Sequence, residues 1–341
     1  MSHFSLLPLL LLSLFAFASA RAQDSVRHTI EERSPATDTS GIVAGSRMRD
    51  VAADDPSATP ARPAIADSAS VEQSSFNGWR FAGMSAVAAG TLAATYLYAQ
   101  DAWWKDGNTS FHFDDGADLI YSRNIDKLAH VYGGAIAADM FSDGLRWSGL
   151  GREASAWYGC GLSVFVQMVI EIKDGYSPRW GYSVWDVASG SLGSLFTTLK
   201  VYSPALAAFD VKFSYFRHTD KYFSWIKPTG TWNDDYINQT YWLSARMKSL
   251  LPKSAARWWP AWLALAAGFG VDESLNGYDD RHPDRTSGSI ELYLALDVDV
   301  TKILPSDNGV WETVKRYLNY IKFPAPALRF TPHVIAFGLY F

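Results

Sequence analysis

The sequence IELYLALDVDV, residues 290–300, decides the fold class of the second half of this chain. Large apolar side chains alternate in it with polar or small ones, and a period of two predicts a β-strand with one apolar face. Residues 209–215, 263–271 and 333–341 show the same alternation. Membrane strands need about nine to eleven residues, so the pattern predicts an antiparallel sheet or a partial outer-membrane-type β-barrel over residues 204–341.

The two faces of the predicted strands differ in side-chain size. One face carries the small residues Ala264, Ala266, Gly268, Gly270, Ala295, Ala336 and Gly338. We expect this small face to lie against helices and the large face to meet lipid, with Ile335, Phe337, Leu339 and Phe341 on one face. The opposite arrangement, in which the large residues form the core of a soluble α+β protein, stays open. Residues 239–251 also fit a helix as an alternative to the strand expected at 237–244.

Four helical segments precede the strands and predict a helical bundle over residues 76–203. They are expected at residues 77–100, from Asn124 past Asp139, at 154–173 and at 183–201. Gly, Ser or charged residues interrupt each apolar stretch, which favours a bundle over a set of membrane spans. Ser183 and Asp186 fit a capping box at the start of the fourth helix. Gly190 and Gly193 offer a surface that another helix can approach closely.

The N-terminal residues predict export from the cytoplasm. Residues 6–17 are apolar but too few to span a bilayer, and Ala18-Ser19-Ala20 follows them with the small residues of a signal-peptidase site. We expect a cleaved signal peptide over residues 1–22, with the cut after Ala20 or Ala22. Residues 23–75 are rich in Ala, Ser, Asp, Thr and Pro, so they predict a disordered linker.

Composition limits the classes of partner. The formal net charge is −5 and no basic stripe is present, so nucleic acid is not an expected partner. No phosphate-binding glycine loop occurs, so no nucleotide is expected. Cys160 is the single cysteine, which excludes an intramolecular disulfide. The 14 Trp and 17 Tyr favour membrane interfaces as well as cores, and the expected partners are therefore membrane lipid and other envelope proteins.

The most unusual polar residues lie in the predicted helices and are Asp126, Lys127, His130, Glu171, Asp174, Ser183 and Asp186. Spacings of four and three residues place Asp126 with His130, and Glu171 with Asp174, on shared helix faces. Carboxylates and an imidazole that converge from separate helices bind divalent cations or exchange protons, which makes His130, Glu171 and Asp174 the candidate catalytic residues and metal ligands. The alternative is a buried network that fixes helix register. No cofactor is predicted. If these residues bound one, it would be a divalent cation.

These residues also carry a resemblance to a known family. Asp126-Lys127-x-x-His130, Glu171-x-x-Asp174 and Ser183-x-x-Asp186 resemble the YfiM-like family of predicted periplasmic lipoproteins, a domain family of unknown function. A fainter likeness is to VanZ-like membrane proteins, which share the Asp-Lys-x-x-His opening. The resemblance covers residues 124–199, and residues 234–244 resemble a segment of the longer members with a β-rich C-terminal half. The resemblance implies no activity, and this chain lacks the lipobox cysteine of a lipoprotein.

The leading functional hypothesis is a non-enzymatic envelope protein, associated with the outer membrane, that has a structural role or binds a lipid or a partner protein. A periplasmic, membrane-associated location is the alternative to the outer membrane. The second hypothesis is a membrane-interface hydrolase or transferase that acts on an envelope lipid or glycan, with His130 as general base. A third is a small pore or transporter.

Overall fold

The first half of the molecule is helical and the second half is a sheet, which confirms the α+β class expected from the two sequence periods. The computed structural model describes residues 75–226, 231–275, 288–303 and 308–341, apart from the side chains of residues 117, 225 and 226. The predicted signal peptide and the predicted linker, except for its last residue, lie outside the described residues.

The helical half consists of four long helices, which are α1 (Gly78–Ala102), α2 (Ile125–Trp147), α3 (Arg152–Asp174) and α4 (Val184–Leu199). Two of them begin at side chains that cap the helix. The Asn77 side chain accepts a hydrogen bond from the amide of Arg80 at 3.0 Å, and Ser183 Oγ accepts one from the amide of Asp186 at 3.1 Å. Each cap satisfies an amide that the start of a helix leaves without an intrahelical partner.

Helices α2 and α4 approach each other closely at glycines, as the small residues of α4 predicted. A Cβ atom added to Gly193 would overlap the carbonyl oxygen of Val131, and one added to Gly134 would overlap that of Gly190. The Ser194 hydroxyl lies 3.2 Å from the carbonyl oxygen of Gly134 and accordingly joins the two backbones. This packing fixes the relative position of the helices that carry the predicted site residues.

Six antiparallel strands form one sheet in chain order, and they are β1 (Phe209–Tyr215), β2 (Gln239–Ala245), β3 (Leu263–Val271), β4 (Ile290–Val298), β5 (Ala325–Arg329) and β6 (Ile335–Tyr340). Between β2 and β3 lie the short helices α5 (Met247–Leu250) and α6 (Lys253–Ala256), and α7 (Gly309–Leu318) lies between β4 and β5. Residues 239–251, which fit either a strand or a helix in the sequence, therefore form a strand followed by a single helical turn.

The sheet curls until its two ends meet. The amide of Phe213 in β1 donates to the carbonyl oxygen of Tyr320 at 2.9 Å, and its carbonyl oxygen accepts from the amide of Lys322 at 2.9 Å. These bonds join β1 to the segment that leads into β5. Beyond the strands, the rings of Phe216 and Phe341 stack with centroids 4.8 Å apart. The enclosed face is occupied by Trp242, Tyr293, Tyr340 and the buried ion pair of Lys212 with Asp297.

The helices contact the face of the sheet opposite to the one expected. Tyr132 of α2 packs against Phe213 and Tyr241, with ring centroids 5.6 and 6.1 Å away, and both partners belong to the large face. The small face lies inside the curl, where a Cβ atom on Gly268 would lie 2.5 Å from the ring of Trp242. The prediction was wrong because alternation defines two faces but not the direction of curvature. Further along the large face, the side chains of Leu243, Leu292 and Leu294 are exposed.

The last strand does not keep the alternation expected for it. Ala327 is paired with Phe337, whereas Ala325 is paired with Tyr340, so β6 has one residue more than β5 between these pairs. Phe337 and Tyr340 both reach the enclosed face, where their rings lie 5.1 Å apart, while Leu339 is exposed. The prediction that four alternate residues share one face is wrong because an extra residue reverses the alternation.

Candidate binding site

Helix α2 begins after an unusual left-handed turn. Ser122, Arg123 and Asn124 have φ angles of 44°, 58° and 63°, a region that residues other than glycine seldom adopt. The turn is held in place because the Arg123 Nε atom donates to the carbonyl oxygen of Gly288 at 2.9 Å and because Ser122 is fully buried. It therefore fixes the first two turns of α2, which carry three of the predicted site residues.

The imidazole of His130 lies at the centre of a group of carboxylates. Its Nδ1 atom is 3.0 Å from Gln167 Oε1. Its Nε2 atom is 3.7 Å from Asp186, 3.8 Å from Glu171 and 3.9 Å from Asp126. The fold thus brings together residues of α2, α3 and α4 that the sequence separates by up to 60 positions. Sequence analysis missed Gln167, because a glutamine in a helix has no spacing signal of its own.

Lys127 forms a second centre of charge beside His130. Its ammonium group lies 2.6 Å from Asp118, 2.7 Å from Asp186 and 3.3 Å from Asp126, and the lysine side chain is only 12% exposed. The three carboxylates raise the pKa of Lys127 well above its usual value and outweigh the effect of burial. Asp118 was not predicted, because it lies in the loop before α2 and only the fold places it near the cluster.

The charges of the cluster shift one another's pKa values. Burial alone would lower the pKa of His130, but Asp186, Asp126 and Glu171 raise it to about 9. Burial, reinforced by Asp126, raises the pKa of Asp186 to about 6 against the opposing effects of His130 and Lys127. Burial also acts to raise the pKa of Asp126, but His130 and Lys127 lower it overall. His130 is thus an imidazolium at neutral pH, which makes it a poor general base.

Ser183 has a different set of partners from those of a capping box. Its hydroxyl caps α4 as predicted and also donates to Asp118. Its amide, however, donates to Glu171 Oε2 at 3.2 Å instead of to Asp186. The reciprocal half of the predicted capping box is therefore wrong. The physical reason is that Asp186 forms an ion pair with Lys127, and Glu171 of the neighbouring helix replaces it.

Asp174 lies apart from the group around His130. It is the last residue of α3 and accepts a hydrogen bond from the indole of Trp104 at 2.7 Å. The indole of the preceding Trp103 donates to Asp234 at 2.8 Å. Asp174 therefore connects the end of α1 to the bundle, and it borders the same cavity as His130.

The donor atoms of the cluster suit a divalent cation, but the positive charge of Lys127 beside them does not. Asp126, His130 and Asp186 each offer a ligand atom, and the three atoms lie within 4.8 Å of one another. Oxygen and imidazole donors suit several divalent metals. Lys127, however, already supplies a positive charge to both carboxylates. The predicted ligands Glu171 and Asp174 are not members of this triad.

The cluster borders a cavity of about 890 Å³ between the helices and the sheet. The remaining wall is mostly apolar or aromatic and includes Tyr132, Ile136, Met140, Ile170, Phe213, Trp232, Tyr241, Val314, Leu318 and Ile321. Residues 112–115 and 178–181 also line the cavity, and two backbone hydrogen bonds, from Asp114 to Tyr182 and from Tyr182 to His112, join these loops. No local sequence pattern predicts this cavity, because its wall combines residues of α2, α3, α7 and the sheet.

One family model matches the part of the chain that carries the charged cluster. Residues 112–202 match the model of a family described as "Predicted periplasmic lipoprotein (DUF2279)". The predicted resemblance to the YfiM-like family is confirmed over these residues. The DUF2279 segment includes every residue of the charged cluster, from Asp118 to Asp186, whereas the sheet lies outside it. The family description supports an association of the protein with the cell envelope. Searches of curated proteins and of solved structures found no match.

Proposed function

We propose that this protein binds a membrane lipid in the cavity between α2 and the sheet, at the outer membrane, and that it is a binding protein and not an enzyme. The observation that carries the proposal is a single cavity of about 890 Å³ that has a charged cluster in one part and an apolar wall in the rest. Pockets for small organic ligands have volumes of about 300–1,000 Å³. An amphiphile has the same division into a polar and an apolar part as this cavity.

The charges favour one class of headgroup. Asp118, Asp126 and Asp186 face two cationic groups, those of Lys127 and His130. Burial raises the pKa of Glu171 well above its usual value, so Glu171 is not counted among these charges. Carboxylates are therefore in excess, and an additional positive group would be stabilised beside them. A lipid with an ammonium headgroup meets this requirement, whereas an anionic headgroup would be repelled. The acyl chain would then lie against the apolar wall near Met140.

The exposed apolar surface supports a location at a membrane. The outer face of the sheet exposes Leu243, Leu292 and Leu294, and α3 exposes Phe165 and Trp157. Leu243, Leu292 and Leu294 lie on one face of the sheet, on strands β2 and β4 that flank β3, and an apolar patch of this kind marks contact with a membrane or with another protein. Together with the family description, it supports attachment to the outer membrane, where lipid would be available to the cavity.

A hydrolase or transferase is the second candidate function. The favouring observation is that several buried carboxylates border a cavity, which is a common arrangement in active sites. The protonated state of His130 opposes the role of general base that the sequence suggested for it. A catalytic role would then fall to the carboxylates alone.

The test is the lipid that co-purifies with the protein in detergent, extracted and quantified by mass spectrometry. Met140→Trp should fill the apolar part of the cavity and abolish co-purification, while the matched control Leu294→Trp, on the exposed face of the sheet, should leave it unchanged. Asp186→Asn should reduce the preference for ammonium over anionic headgroups. Equal lipid content in Met140→Trp and wild type would refute the proposal. Conversion of the extracted lipid by wild type, but not by Asp186→Asn, would favour the enzyme.

A further inference from the structure

Helix α1 is apolar on all sides and yet lies on the surface of the molecule. Only Met84 and Ala99 among its residues are buried, whereas Trp79 is 89% and Leu97 is 69% exposed. No charged residue occurs between Arg80 and Asp101. A helix that is hydrophobic all round belongs in a protein core or in a membrane. Since α1 is not in the core, hydrocarbon is the environment that matches its surface.

By length and composition, α1 and α3 are both able to cross a membrane. The two helices differ in burial, because 33% of the apolar window of α3 is buried, compared with 6% of that of α1. The buried side of α3 is also polar, with Ser163, Gln167 and Glu171 facing the bundle. The apolar side of α3, which carries Trp157, Phe165 and Val169, is therefore exposed as the surface of α1 is. The difference is that α3 packs against the bundle along its polar side, whereas α1 has only two buried residues.

The length and the ends of α1 match a bilayer. Its 25 residues correspond to about 37 Å at about 1.5 Å per residue, and the hydrocarbon core of a bilayer is about 30 Å thick. Exposed aromatic residues lie at both ends, with Phe76, Trp79 and Phe81 at the first and Tyr96 at the second. Aromatic belts of this kind mark the two interfaces of a membrane-crossing helix.

The domain holds α1 at its two ends. At the first end, the Asn77 amide donates to the carbonyl oxygen of Ser148 at 2.9 Å. At the second end, the indoles of Trp103 and Trp104 donate to Asp234 and Asp174. Trp103 also lines the cavity. The end of α1 that carries these tryptophans therefore lies next to the cavity.

We propose that α1 crosses the hydrocarbon layer of the membrane, that the helical bundle bonded to both of its ends is embedded beside it, and that the tryptophan end of α1 holds the cavity at the level of the lipid headgroups. The insertion of α1 stands on its own observations, and only the consequence for lipid entry rests on the proposed function. A lipid could then pass from the bilayer into the cavity beside Trp103.

The test uses the full chain in native membranes, with Cys160→Ser as background and a membrane-impermeant maleimide as probe. Leu92→Cys, near the centre of α1, should be protected from labelling until detergent is added. The matched control Lys105→Cys, three residues beyond the helix, should be labelled in broken membranes without detergent. Equal labelling of the two variants without detergent would overturn the proposal. Because Leu92 and Lys105 are both exposed, neither substitution disturbs the core, and lipid content measured on the same samples tests the proposed function separately.

Discussion

Substitution of Gly193 by alanine tests whether the contact between α2 and α4 holds the site together. The added Cβ would overlap the carbonyl oxygen of Val131 and lie 2.7 Å from its carbonyl carbon. These are backbone atoms of a helix, so no side chain can turn aside. The two helices would have to separate by roughly 1.5 Å to restore ordinary van der Waals contact. Such a displacement would also move Asp186 away from His130, now 3.7 Å apart.

Two opposing effects determine how much Gly193→Ala changes the free energy of unfolding. Overpacking costs about 1–3 kcal/mol, and a clash with backbone belongs at the upper end of that range. Alanine in place of glycine inside a helix recovers about 1 kcal/mol. We therefore expect a net loss of about 2 kcal/mol in the free energy of unfolding, which corresponds to a decrease in Tm of about 3–4 °C at an unfolding entropy of about 2.1 cal/mol/K per residue.

The assay is thermal unfolding in detergent, followed by circular dichroism at 222 nm. Gly161→Ala is the matched control, because Gly161 is exposed in α3 and an added Cβ there meets no atom within 4 Å. Helix propensity alone should raise the Tm of this control slightly. If Gly193→Ala were as stable as Gly161→Ala, the close contact of α2 with α4 would not exist as described.

Three further results are expected in the same unfolding assay. The pKa of His130 is raised from 6.5 to about 9, so the protonated imidazole stabilises the fold by about 3 kcal/mol below pH 6.5, and this contribution disappears as the pH rises through 9. The stability of His130→Gln should therefore differ most from that of wild type at pH 6 and converge with it by pH 10. A difference that stays constant with pH would contradict this. Lys212→Met should cost about 3–5 kcal/mol because it leaves Asp297 buried without its partner, and the double variant with Asp297→Leu should recover most of the loss; no recovery would exclude this origin. Lys127→Ala should allow Mn²⁺ to raise the Tm, whereas wild type should not respond, and an equal response would show that the lysine does not compete with a cation.

The sequence predicted most of the secondary structure because the relevant signals are local. Ser183 was identified as a helix cap, and it does cap α4. Alternation identified β1, β3 and β4, whose bounds follow the predicted segments. The strand Ala325–Arg329 was missed, because APALR contains a proline and only one large apolar residue. Its place in the sheet comes from pairing with β4 and β6, which no local pattern encodes.

The arrangement of the elements in space was less predictable. The curl of the sheet is stabilised by contacts between distant residues, such as Phe213 with Tyr320 and Phe216 with Phe341. Because local sequence patterns do not encode this curl, they could not predict that the small face is the concave one. The same limit applies to Asp118, because its distance from Lys127 depends on the loop before α2.

The charged cluster had two interpretations in the sequence, a network that fixes helix register or a site. In the structure, the register of α2 and α4 is already specified by Gly134, Gly193 and the hydroxyl of Ser194. Buried ion pairs are a costly way to add stability, since apolar residues of similar volume often stabilise as well or better. A role in packing alone therefore does not explain why Lys127 is surrounded by three carboxylates. The cluster borders a cavity with a largely apolar wall, and a ligand whose polar group faces His130 and Asp186 gives those charges a role that packing does not.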